Sequence, residues 1–144
     1  MNTTARALGV DPGSARIGLA LSDELGCMAH PLQTIQVKGG TVADQAASIA
    51  SVATEHGSPS IILGLPRNMN GTFGPAAEKS RDLAEALKPL TTAKVILWDE
   101  RLTTAAATRR LQEAGRNSRD QRQIIDQAAA VQILQDWLDG NQGC

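Results

Sequence analysis

"LGVDPGSARIGLALSDELG" spans Leu8 to Gly26. Two apolar runs, Ala5–Val10 and Arg16–Ser22, flank the turn residues Asp11, Pro12, Gly13 and Ser14. The stretch therefore reads as two strands joined by a tight turn. "PLQTIQV" (Pro31–Val37) alternates polar and apolar residues, as a half-exposed strand does. Three strands joined by turns predict an antiparallel meander. The period then changes. Thr41 and Asp44 fit a capping box ahead of a helix over Val42–His56, which stops at Gly57. "SIILGLP" (Ser60–Pro66) is a buried strand, and Pro75 opens a helix that runs to about Leu87, before Pro89. "KVILW" (Lys94–Trp98) is another buried strand. Thr103 or Thr104 caps an Ala-rich helix that ends near Gly115, and "GRNSRDQ" (residues 115–121) reads as a mobile loop. Asp120 and Gln123 open a last helix to about Leu138, with Gly140 after it. Early strands followed by alternation predict an α/β fold: a mixed five-stranded sheet with helices on both faces.

The 144 residues suit one domain spanning 1–144, long enough for a real core. Aromatics make up only 2%, namely Phe73, Trp98 and Trp137, so the core must be aliphatic and base stacking is excluded as a main binding device. Net charge is −1, which gives no whole-chain case for nucleic acid. The distribution says more. Residues 101–122 carry six arginines (Arg101, Arg109, Arg110, Arg116, Arg119, Arg122) against Glu113 and Asp120, a basic segment on an acidic body. It is either a phosphate-gripping strip or a solvated helix face with its loop. Cys27 and Cys144 show no ligand spacing, which predicts free thiols in a reducing compartment. With no signal peptide pattern and no apolar run of about 18 residues, a cytoplasmic protein with no membrane contact is expected.

Asp11 follows a strand and precedes Pro12–Gly13, where it is a good turn former or half of a metal site. Asp99 and Glu100 are adjacent at the end of a buried strand, so they point to opposite sides. One faces the sheet's ligand-binding edge, unless the pair merely terminates the strand with charge. Asp126 is the sharpest clue: at helical spacing it lines up with Ala130, Ile133 and Trp137 on one apolar stripe. A carboxylate there needs a partner, an arginine or a cation, because burying it alone costs several kcal/mol. Oxygen ligands without His or Cys suit a hard cation such as Mg²⁺ or Mn²⁺. Two such ions clamp the attacking and leaving oxygens of a phosphodiester. His30 and His56 are isolated and read as surface or loop residues.

With these pieces in hand the chain resembles the YqgF (RuvX-type) family. The matching pieces are "LGVDPGSARIGLALSD", "IILGLPRNMNGTFGPAA", "DERLTTAAA" and "IIDQAAAVQIL", which together run from Leu8 to Leu138. The resemblance implies a ribonuclease H-like fold and a nuclease that takes nucleic acid. The family is described both as Holliday junction resolvases and as nucleases trimming the precursor of 16S ribosomal RNA. It implies that Asp11, the acids of the "DER" motif and Asp126 form the catalytic, metal-binding set. Glu100 is the favoured ligand of the "DER" pair and Asp99 the alternate. Arg16, Arg67, Arg101, Arg116, Arg119 and Arg122 are the expected nucleic-acid contacts. Family members often carry an acid where Asn70 stands and an apolar residue where Arg67 stands.

The expectation is therefore a two-metal nuclease for the 5′ end of pre-16S rRNA. Its rival with the same chemistry is a Holliday junction resolvase, which calls for a homodimer with two symmetric sites. Rivals of another class are a non-catalytic ribosome assembly factor and an ATP-binding domain of the actin/sugar-kinase type. The latter needs two such domains, more than this length allows.

Overall fold

The computed structural model describes residues 6–13, 15–37, 40–66, 70, 72–99 and 119–141, with backbone alone for 119–126 and 141. The expected helix between Thr103 and Gly115 and the 115–121 loop thus lie outside the described residues, apart from the backbone of 119–121. Five strands form one sheet: β1 (Ala7–Pro12), β2 (Arg16–Ser22), β3 (Ala29–Gln36), β4 (Ser60–Leu65) and β5 (Lys94–Asp99). Their spatial order is β3-β2-β1-β4-β5. The first three pair antiparallel, as the meander reading predicts, while β1–β4 and β4–β5 are parallel. The sheet is mixed because β1 serves both halves.

Among the described residues there are three α-helices: α1 (Val42–Glu55), α2 (Pro75–Leu87) and α3 (Arg119–Asn141). α1 begins with the predicted box: Asp44 N donates to Thr41 Oγ1 at 3.1 Å and Thr41 N to Asp44 Oδ2 at 3.2 Å. Gly57 follows its end with φ +62°, the left-handed conformation that stops helices. α2 starts at Pro75, whose missing N–H costs nothing at a first turn.

Some boundaries differ from expectation. β1 starts at Ala7 and continues through Pro12, because Asp11 and Pro12 pair with Gly18 and Ile17 in the hairpin. Asp11 therefore stands in the strand rather than after it. β3 begins at Ala29 and holds Pro31, which an edge strand tolerates. α3 runs past Gly140 to Asn141. Cys27 is not a free thiol but disulfide-bonded, and its partner lies outside the described residues. The reducing compartment read from it loses that support. The physical reason lies in α3, which returns to the Cys27 turn: Gln135 Nε2 donates to Cys27 O at 2.9 Å, and Ala29 N to Gln135 Oε1 at 2.8 Å. Separation along the chain conceals that proximity.

The two faces of the sheet carry separate cores. Leu8, Val10, Ile17, Leu19, Ile61 and Leu63 pack with α1 and α2. Ala7, Ala20 and Ile62 pack with Ala130, Ile133, Leu134, Trp137 and Leu138 of α3. Helices on both faces match the expected architecture.

Candidate active site

Strand parity sorts the candidate acids. On β1, Leu8 and Val10 face α1 and α2, so Ala7, Gly9 and Asp11 face α3. Asp11 is only 2% exposed. On β2 it is opposite Gly18, which is opposite Thr34 on β3. On the other side, Asp11 is one residue past the Val10–Leu63 pair, level with Gly64, which in turn pairs with Trp98. One row thus crosses the sheet on the α3 face: Thr34, Gly18, Asp11, Gly64, Trp98. The carboxylate has a glycine on each neighbouring strand, so no side chain from either competes for the space beside it.

α3 is placed against this row by three contacts. A Cβ on Gly9 would stand 2.7 Å from Leu134 Cβ and 2.9 Å from Ala130 O, so the helix lies directly on β1 there. Gln135 meets Ala29 near the start of β3, and Gln127 Nε2 donates to Thr34 Oγ1 at 3.0 Å near its end. The helix therefore runs antiparallel to β1, and its 126–127 turn is level with Asp11. Three members of the predicted stripe, Ala130, Ile133 and Trp137, are buried. Asp126 is one turn before Ala130 on that stripe; its side chain is outside the described residues.

Asp99 is the last residue of β5 and pairs with Leu65, whose parity is that of Ile61 and Leu63 on the α1/α2 face. It therefore falls on the opposite face from Asp11. The residue after it, Glu100, lies outside the described residues, as do Arg67, Arg101 and Arg116. Arg119 and Arg122 lie on α3, their side chains likewise undescribed. Arg16 opens β2 two residues from Gly18, so it shares Asp11's face and edge. Between them the hairpin turn is tight: Gly13 N donates to Arg16 O at 2.9 Å, and a Cβ on Gly13 would stand 2.4 Å from that oxygen. Only glycine fits there, so the β1–β2 turn holds Arg16 close to the end of Asp11's strand.

The loop entering α2 is organised by its own side chains. Asn70 Oδ1 accepts from Thr72 N at 3.0 Å and from Thr72 Oγ1 at 2.6 Å, and the Arg81 guanidinium lies 4.8 Å from the Phe73 ring centre. Asn70 thus acts as a turn former here. Among the described residues no cluster of three His, Cys, Asp or Glu side chains forms a metal centre. Sequence reasoning missed Gly9, Gly64, Thr34 and Gln127. The alternation in "PLQTIQV" hinted at a polar position for Thr34, but nothing in the sequence pairs it with a residue 93 positions away.

Comparison with known proteins fits this frame. The sequence model of the RuvX family, described as Holliday junction resolvase, matches residues 5–140. A Myxococcus xanthus protein named "Putative pre-16S rRNA nuclease" is 47% identical over 137 residues, covering 95% of this chain and 89% of its own. Proteins of the same name from Nocardia farcinica (46% identical; 93% and 77% covered) and Halalkalibacterium halodurans (41%; 95% and 98%) are similar to it as well. Among solved structures, RuvC from Thermus thermophilus in complex with Holliday junction substrate superposes with a TM-score of 0.58 at 17% identity, covering 96% of each chain. At that identity the likeness establishes the fold, which is ribonuclease H-like. Matched over nearly its whole length, and above 40% identical to these relatives, the chain belongs to the RuvX family.

Proposed function

We propose that this chain is a metal-dependent nuclease that hydrolyses phosphodiester bonds of structured nucleic acid, with the 5′ end of pre-16S rRNA as its substrate. Family membership and the names of its relatives support the reaction class. The observation that carries the site is the levelling of α3's 126–127 turn with buried Asp11, through the 3.0 Å Gln127–Thr34 bond. It supports a site shared by two acids 115 positions apart in the sequence, Asp11 and Asp126.

The donor set fits a hard cation: a buried carboxylate, flanked by glycines, with a second acid's backbone position level with it. Asp11, Glu100 and Asp126 are the residues that would hold two Mg²⁺ or Mn²⁺ ions. Asp99, on the far face, supports Glu100 as the "DER" ligand in preference to itself. Cations bound there would supply charge to stabilise the attacking and leaving oxygens of the phosphodiester. The chain's own contribution is rigidity. Asp11 is fixed in a central strand, and Asp126 rides on a 23-residue helix packed across it. Arg16 and the arginines at 67, 101, 116, 119 and 122 hold the phosphate backbone in this reading. Residues 1–144 act as one nuclease domain, and work on a ribosomal precursor places it in the cytoplasm. Among the described residues no helix is long and apolar enough to cross a membrane.

The test is Asp11→Asn, checked for an unchanged fold, assayed on 16S precursor and on four-way DNA junctions with Mg²⁺ and with Mn²⁺. Cleavage should fall by at least about 100-fold, the scale of losing several kcal/mol of charge stabilisation. Undiminished cleavage by the pure variant would remove Asp11 from the mechanism. The description of the matched family favours a second substrate, the Holliday junction. Depletion of the protein followed by mapping of 16S precursor ends separates the two. A normal 5′ end would move the assignment to the junction, and sedimentation should then show a homodimer.

A further inference from the structure

We propose that the Gln127–Thr34 hydrogen bond is a positioning clamp: it sets the height of α3 over the Asp11 row, and cation affinity depends on it. The proposal rests on the metal-site reading above and extends it to residues that touch neither the cation nor the substrate.

α3 meets the sheet through an apolar stripe of Ala130, Ile133, Leu134, Trp137 and Leu138. Apolar contact is non-directional and resists sliding of a helix along a sheet only weakly. A hydrogen bond of good geometry fixes both distance and direction. Among the described residues α3 makes side-chain bonds of this kind to the sheet at two places. Gln135 bridges Cys27 O and Ala29 N, at the end of β3 far from Asp11. Gln127 bonds Thr34 at 3.0 Å in a part-buried setting, at the level of Asp11. Gln127 immediately follows Asp126 on the same turn. Sliding α3 by one residue, a rise of about 1.5 Å, would carry Asp126 beyond the roughly 0.5 Å tolerance of a functional constellation. The two glutamines thus bond at opposite ends of β3, and only Gln127 stands at the level of Asp11.

Isothermal titration of the full chain with Mn²⁺ alone tests this, accompanied by thermal melts. Gln127→Ala and Thr34→Val should each weaken Mn²⁺ binding by about 10-fold, in the range of lost supporting bonds around metal sites. The double variant should be no weaker than either single one, because both remove the same bond. Gln135→Ala should lower the melting temperature while Mn²⁺ affinity stays within about twofold of the parent, since its bonds lie at the end of β3 far from Asp11. Parent-like affinity in Gln127→Ala, or an equal loss in Gln135→Ala, would overturn the clamp. Thr34→Val is isosteric, so it answers the question if Gln127→Ala fails to fold. Asp11→Asn in the same titration separates the two claims. If it binds Mn²⁺ as the parent does, the metal site itself fails and the clamp with it. If it loses binding while Gln127→Ala keeps it, only the clamp fails.

Discussion

The two faces of the same strands differ in what they bury. Toward α1 and α2, β1 and β2 present Leu8, Val10, Ile17, Leu19 and Leu21, all large aliphatics. Toward α3 they present Ala7, Gly9, Asp11, Gly18, Ala20 and Ser22, all small or polar. The first face holds its helices at a distance with side chains that fill the gap. The second lets α3 sit almost on the backbone, close enough that polar groups of helix and sheet reach each other. Gln127 with Thr34 and Gln135 with Ala29 are examples, and within the sheet Ala7 N donates to Ser22 Oγ at 2.8 Å. The aliphatic face maximises apolar burial. The small-residue face gives up some of it and gains directional contacts that fix the position of α3.

This contrast can be broken experimentally. The largest effect belongs to Asp11: Asp11→Asn should abolish most cleavage with the fold retained. Next is Leu83→Ala on the aliphatic face, where Leu83 is 2% exposed. It should cost about 3 kcal/mol of stability through the cavity it leaves. Mn²⁺ affinity of the folded fraction should be unchanged. A matching loss of affinity would show that the faces are not separable. Gly9→Ala probes the other face. Its methyl has no room under Leu134 and Ala130, so it should cost about 1–3 kcal/mol by overpacking. Unlike Leu83→Ala, it should also weaken Mn²⁺ binding, because it lifts α3 from the row. Stability loss with intact affinity would contradict that distinction.

The smallest effect is at the β2–β3 turn where Gln135 docks. Cys27 N donates to Asp23 Oδ1 at 2.8 Å, and this bond, aided by Met28 and Gly26 backbone groups, holds the Asp23 carboxyl below its usual range. A carboxyl with a lowered folded pKa contributes stability above its unfolded pKa and loses it as pH falls through the folded one. The melting difference between the parent and Asp23→Asn should therefore be present at pH 7 and shrink below about pH 4. A difference constant from pH 7 to pH 3 would assign the turn's order to Gly26, with its φ of +75°, rather than to the charge.

Much of this was legible in the chain itself. Short apolar runs between turn residues, the Thr41–Asp44 box and Pro75 are local signals, and local signals locate elements. The spacing of Ala130, Ile133 and Trp137 marked an inward helix face because helical period is a property of sequence. The "DER" pair could not be resolved locally, since adjacent residues point both ways and the sequence does not say which face is which. The cysteines misled for a related reason: whether Cys27 has a partner depends on where α3 ends up, not on spacing.

The sequence by itself determined the five strands, the three described helices, their order and the acids' identities, because backbone propensity and apolar period act over a few residues. Tertiary structure alone decided that Asp11 lies between two glycines on the α3 face, that Asp99 falls on the other face, and that Gln127 meets Thr34. Those depend on strand register and on how closely a helix can approach a sheet, and both are set by contacts between residues far apart in the chain.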